Sequence, residues 1–129
     1  MTHSGGAEVS SERPEIVCIC GSARFAAEMR AMNRQLTFAG IIVLAPAEAE
    51  AGERVTAEQK VVLDALHLRK IDLADRVVVL SPDGYIGTSV QQEIDYAIAA
   101  GKPVSFIRAV SVGEPGRTVR RVPTPHTAL

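Results

Sequence analysis

The sequence predicts a three-layer α/β sandwich with a mostly parallel, flavodoxin-like (Rossmann-like) sheet. Four short apolar runs lack the polar alternation of a half-exposed strand, so each reads as an interior strand covered on both faces. Three stretches with apolar residues at helical spacing separate those runs, and strands alternating with helices close into parallel crossovers. At 129 residues the chain suits one domain that buries a full core without cross-links.

Taken in order, residues 1–14 are polar and rich in glycine and serine, and read as a flexible arm ahead of a domain over 15–108. The first strand is 16–20, a β-prone run stopped by Gly21 and Ser22. Residues 23–39 place Phe25, Met29, Met32 and Leu36 on one helical line, which Gly40 ends. The second strand, 41–44, gives way at Pro46 to residues 47–56, acidic and small without periodicity: a surface loop over a cleft. Thr56 caps the second helix with Gln59 as its capping-box partner, and that helix runs to about Ala74 with Val62, Ala65, Leu66 and Leu73 inward. The third strand is 77–80. After a loop with Gly84 and Gly87, Thr88 or Ser89 opens the third helix with Gln91 or Gln92 three residues on, and Val90, Ile94, Ala97 and Ile98 form its apolar stripe. Gly101 and Pro103 turn the chain into the fourth strand, 104–107. Residues 109–129 form an irregular tail, in which 117–122 adds a short edge strand or crosses to a neighbouring subunit.

Lys and Arg number 14 against 15 Asp and Glu, a net charge of -1, so no overall positive field favours a nucleic-acid polymer as partner. No apolar run reaches bilayer-spanning length and the first residues carry no apolar signal core, so no membrane is expected and the expected compartment is the cytoplasm. Cys18 and Cys20 lie two apart on a strand, hence on one face and poorly placed to bridge. They read as small buried hydrophobes. No Cys-x-x-Cys and no histidine close in sequence supplies further ligands, so neither a metal nor another cofactor is expected.

In an open parallel sheet ligands bind beyond the carboxyl ends of the strands where strand order reverses, which brings the loop after the first strand beside the loop after the third. The first loop offers Gly21, Ser22 and Arg24 at a helix N-terminus, a place for an anion or a sugar hydroxyl. The second offers Tyr85, Gly87 and Ser89, and its helix carries Glu93 at the edge of the apolar stripe, an expensive place for a carboxylate without a task or a partner. Ordinary readings stand beside these: a turn and a solvated arginine at 21–24, a salt-bridged Glu93, rim packing for Tyr85 and Tyr96, a surface His67, Lys70 balancing Asp72, and Asp75 as a turn residue. The spacing is neither a dinucleotide fingerprint nor a P-loop.

Five segments together resemble the nucleoside 2-deoxyribosyltransferase-like superfamily: Cys-Gly-Ser-Ala-Arg at 20–24, Ile-Asp-Leu-Ala-Asp-Arg-Val-Val-Val-Leu at 71–80, the loop to Ser89, Glu-Ile-Asp-Tyr-Ala at 93–97, and Gly-Lys-Pro-Val at 101–104. The resemblance implies cleavage of an N-glycosidic bond, or N-(deoxy)ribosyl transfer, on a nucleoside or nucleotide, with Glu93 as nucleophile at the anomeric carbon and Asp72 or His67 as acid for the departing base. It further implies Ser22, Arg24 and Ser89 on sugar hydroxyls or a 5'-phosphate, and a homodimer or higher homo-oligomer. The chain departs from the pattern where His67 replaces an aspartate, where Cys18 replaces a tyrosine, and where Ser89-Val-Gln-Gln-Glu93 replaces a Gly-x-Gly-x-Glu approach. These departures also fit a second reading, a non-catalytic nucleotide-binding or sensing module.

Overall fold

The computed structural model describes residues 12–110 and 126–127. Strands β1 (Ile16–Gly21), β2 (Ile42–Leu44), β3 (Arg76–Leu80) and β4 (Val104–Ile107) pair in parallel, and β5 (His126–Thr127) adds antiparallel to β4. The order is β2-β1-β3-β4-β5, the flavodoxin-like order expected. β1 and β3 sit at its centre because they are the most continuously apolar: Val17 to Cys20 and Val77 to Leu80 are all buried. The strand expected at 117–122 lies outside the described residues, as do residues 1–11 of the expected arm.

Alternation along the strands sorts their side chains to two cores. Val17, Ile19, Val78, Leu80 and Ile107 meet Met29 and Met32 of helix α1 (Ala26–Phe38) on one face. Cys18, Cys20, Val77, Val79 and Val104 meet Ile71 of helix α2 (Ala57–Leu73) and Val90, Ile94 and Ala97 of helix α3 (Thr88–Ala99) on the other. The result is three layers, helix, sheet and helices, with both cysteines facing α2 and α3.

Several local expectations are met by the expected chemistry. Thr56 and Gln59 form a capping box at the start of α2, with N–H to oxygen distances of 2.9 and 3.0 Å. Asp75 is the turn residue before β3, and it does more than turn. Its carboxylate accepts from both terminal nitrogens of Arg13 at 2.7 and 2.9 Å and from the Ile16 amide at 2.8 Å, tying the entrance of β1 to that of β3. The Arg13 guanidinium first, then the Ile16 amide, hold this carboxyl well below the usual carboxylate range. A depressed native pKa contributes stability above the ordinary aspartate pKa, and that contribution is lost as pH falls. Asp75→Asn is expected to lower the melting temperature at neutral pH and to differ less from wild type at about pH 3, where the carboxyl of the unfolded chain is largely protonated while the native one is still held ionised; thermal melts at the two pH values check this, and an offset that grows toward acid contradicts it.

The helices also correct the sequence reading. Val62, Ala65, Leu66 and Leu73, expected inward on α2, are exposed, and the buried residues are His67 and Ile71. The inward line is Leu63, His67, Lys70, Ile71 and Ala74, a clean helical spacing interrupted by two polar residues, so a count of apolar residues favours the wrong face. Lys70 does not balance Asp72 but donates to the Ala45 carbonyl at 2.7 Å. Ile98 is largely exposed. Phe25 falls in a short 3-10 turn, Ala23–Phe25, ahead of α1. No side chain caps α3; Gly87 is its N-cap, while the Ser89 hydroxyl turns to Lys60 and Gln91 donates to Asp95.

Candidate active-site cleft

Between the loops after β1 and β3 opens a cleft of about 780 Å³, within the range of small-molecule pockets. Its walls come from five segments: the turn after β1, one side of α1, the 45–49 segment after β2, the inner face of α2, and the 85–93 stretch entering α3. All lie at the carboxyl ends of parallel strands, because each strand there hands its chain to a loop or helix N-terminus. The expected 47–56 loop supplies Ala47, Glu48, Ala49 and Val55 to this wall.

Two glycines keep the cleft open. A Cβ at Gly21 would meet the Met29 sulfur at 3.0 Å, and one at Gly87 would meet the Tyr85 hydroxyl at 3.1 Å, so side chains at either place displace their neighbours. Ser22 caps the 3-10 turn by accepting from the Arg24 amide at 3.4 Å. With Gly87 as an uncapped N-cap, the first amides of α3 lack intrahelical acceptors and present partial positive charge beside the cleft.

Glu93 stands one and a half turns into α3, with its side chain only 14% exposed. Burial raises its carboxyl above the ordinary glutamate range, while a charged His67 opposes the shift. His67 is buried rather than superficial, 3.8 Å from Glu93 Oε1 through Nε2, and the same nitrogen lies 3.6 Å from Cys18 Sγ and 3.4 Å from Cys20 Sγ. Burial works against the imidazolium, but Cys18 and then Glu93 outweigh it and raise its pKa. The bond from Cys20 lowers the Cys18 thiol to about 6, and the same pairing together with burial drives Cys20 upward. His67 Nδ1 is buried without a hydrogen-bond partner among the described residues.

The structure gathers Gly21, Ser22, His67, Tyr85, Gly87, Ser89 and Glu93 on the cleft wall. It leaves out two expected residues. Arg24 sits over the Tyr85 ring, its Cζ 3.9 Å from the centroid, and is not part of the lining. Asp72 sits five residues beyond His67, about 7.5 Å further along α2 and toward the opposite end of the sheet. There it accepts from the Tyr96 hydroxyl at 2.7 Å and pairs with Arg69 at 3.1 Å. Reading the sequence missed Arg30, Asn33, Lys60 and Asp64, which line the cleft. The first two lie one turn apart on α1, and the last two lie upstream of His67 on one side of α2; the signal was there once the inward face of α2 is known. Arg30 pairs with Glu48, and Lys60 donates to Asp64 at 2.9 Å and to the Ser89 hydroxyl at 3.1 Å, so α1 is tied to the segment after β2, and α2 to α3.

The backbone resembles that of the 2-deoxyribosyltransferase from the psychrotolerant bacterium Bacillus psychrosaccharolyticus, with a TM-score of 0.60 and 18% identity over 81% of this chain and 77% of that one. The fold is nucleoside 2-deoxyribosyltransferase-like. A conserved protein from Enterococcus faecalis V583 shares it at a TM-score of 0.51 and 21% identity, over 72% of this chain and 62% of the other. No protein-family model and no curated protein sequence matches the chain. Within this deoxyribosyltransferase-like fold the cleft occupies the switch point between β1 and β3, where the two outward crossovers part. No helix among the described residues is long and apolar enough to cross a membrane.

Proposed function

We propose that the protein cleaves or transfers the N-glycosidic bond of a nucleoside or nucleotide, with Glu93 as nucleophile. The observation that carries this reading is a carboxylate buried in the wall of a cleft of small-molecule size, between two loops that line it with the Ser22 and Ser89 hydroxyls and set the first amides of α3 beside it. As the bond from the anomeric carbon to the base nitrogen breaks, its electron pair leaves with the base and the sugar becomes oxocarbenium-like. Glu93 stabilises that charge and closes on the anomeric carbon as a glycosyl ester. Water then releases the free sugar, or a second base takes it; both outcomes fit the geometry.

His67 lies 3.8 Å from Glu93, and its positive form works against the rise that burial imposes on the carboxyl. Asp64 replaces Asp72 as the acid for the leaving base, since it lies just over two helical turns upstream of Asp72 on α2 and lines the cleft. Ser22, Ser89 and the first amides of α3 hold hydroxyls, while Arg30 and Lys60 provide positive charge for a 5'-phosphate. The exposed apolar line Val62, Leu66 and Leu73 on α2 supports a homo-oligomer, which light scattering reads directly.

The test is incubation of the purified protein with nucleosides, deoxynucleosides and their 5'-monophosphates, with and without a second base, followed by chromatography for free or exchanged base. Release or exchange is expected for at least one of them. Saturable binding of the same compounds with no turnover favours the second reading, a nucleotide-binding module, to which the replacement of an aspartate by His67 points.

A further inference from the structure

We propose that Cys18, Cys20 and His67, closed by Glu93, form a zinc site in the sheet-side wall of the cleft. The expectation of no metal rested on the lack of a histidine near the cysteines in sequence. The fold brings one in from 47 residues away. The two thiols share a face of β1 because they are two apart on a strand, and α2 lays His67 over that face.

The ligand atoms sit at the separations a tetrahedral ion imposes. Zn–S bonds of about 2.3 Å and Zn–N bonds of about 2.0–2.1 Å put a sulfur and a nitrogen of one coordination sphere about 3.5–3.6 Å apart. His67 Nε2 is 3.4 Å from Cys20 Sγ and 3.6 Å from Cys18 Sγ, and the three atoms all lie within 4.8 Å of one another. Glu93 Oε1 lies 3.8 Å from the same nitrogen but outside that three-atom cluster, so it reaches the fourth corner only by moving toward the ion.

Hydrogen bonding alone serves this cluster poorly. One nitrogen faces two sulfurs and a carboxylate, and whether it donates or accepts it makes only one good hydrogen bond among the three. A cation among them engages both sulfurs and the nitrogen at once, with the carboxylate at hand as a fourth ligand. Two thiolates and an imidazole select a soft ion with no demand beyond four-coordination, which is Zn²⁺ rather than Mg²⁺ or Ca²⁺. The path in is the cleft, since His67 and Glu93 form part of its wall. The site rests on geometry alone. Where Glu93 is also the nucleophile, a consequence that rests on the reading above, bound zinc withdraws it and arrests turnover reversibly.

The test uses Co²⁺ as a spectroscopic probe on the whole chain, stripped with chelator and kept reduced. Wild type is expected to develop thiolate-to-cobalt charge-transfer absorption in the near ultraviolet and four-coordinate bands in the visible, saturating at about one equivalent and bleached by about one equivalent of Zn²⁺. The Cys18→Ala, Cys20→Ala double variant is expected to lose both sets of bands, and Glu93→Gln to keep the charge-transfer band because both thiolates and the imidazole remain. A wild-type spectrum that stays that of hydrated Co²⁺, or Zn²⁺ that dialyses fully from folded wild type, overturns the proposal without recourse to any variant. No nucleoside enters the measurement, so its failure is separate from failure of the glycosidic reading.

Discussion

Glu93→Gln is expected to lower base release by about 10³-fold or more while leaving the fold intact. The amide keeps the size and shape of the side chain but cannot close on an anomeric carbon or carry the charge that balances an oxocarbenium ion, and loss of a covalent nucleophile has effects of this order or larger. Stability moves the other way. Burial raises the Glu93 carboxyl, so the native state holds its proton to higher pH than the unfolded chain, and ionised Glu93 costs stability once pH exceeds the native pKa. Replacing it by a neutral amide removes that cost, and the variant should melt at or above the wild-type temperature at neutral pH. Activity of wild type should accordingly rise with pH through a group titrating above the ordinary glutamate value. Chromatographic assay of base release alongside thermal melts separates the two effects. A variant that releases base at the wild-type rate removes Glu93 from the mechanism; one that melts far below wild type makes it a structural residue.

The sheet was legible because its strands carry a signal that tertiary context cannot easily override. Runs such as Val77 to Leu80 are apolar on both faces, and only an interior parallel strand needs that. The two loops at the switch point and Glu93 followed from topology, since the rule that places ligands there needs only strand order. What failed was the rotation of α2. Its buried line contains His67 and Lys70, whose polarity hides it, while Val62, Leu66 and Leu73 advertise a face that the described residues leave exposed. With that error went the ordinary reading of His67 as a surface histidine and the oversight of Asp64, whereas Asp72 came from the family resemblance, which carries no information on how α2 is turned. Arg24 was misplaced for a different reason, because a guanidinium that stacks on Tyr85 and one that holds an anion look alike in sequence.

That rotation of α2 can be tested by what each face costs to truncate. Ile71 is fully buried among Cys18, Cys20, Ala74 and Val77, so Ile71→Ala removes apolar contact and leaves a cavity, a change that costs about 2–5 kcal/mol. Against the roughly 5–15 kcal/mol that hold a domain of this kind together, such a loss shifts the melting temperature by roughly 10 °C or more. Leu73→Ala, two residues on and 65% exposed, should change stability by no more than about 0.5 kcal/mol. The sequence reading placed Leu73 inward and did not include Ile71 on that line, so denaturant or thermal unfolding of the pair decides between the two rotations. Ile71 also lies one turn below His67 on the same face, and a cavity beneath that turn frees the imidazole to tilt away from Glu93. Ile71→Ala is therefore expected to lose activity at temperatures where it is still folded, whereas Leu73→Ala keeps it; equal activity losses in the two would detach the imidazole's position from the packing of this face.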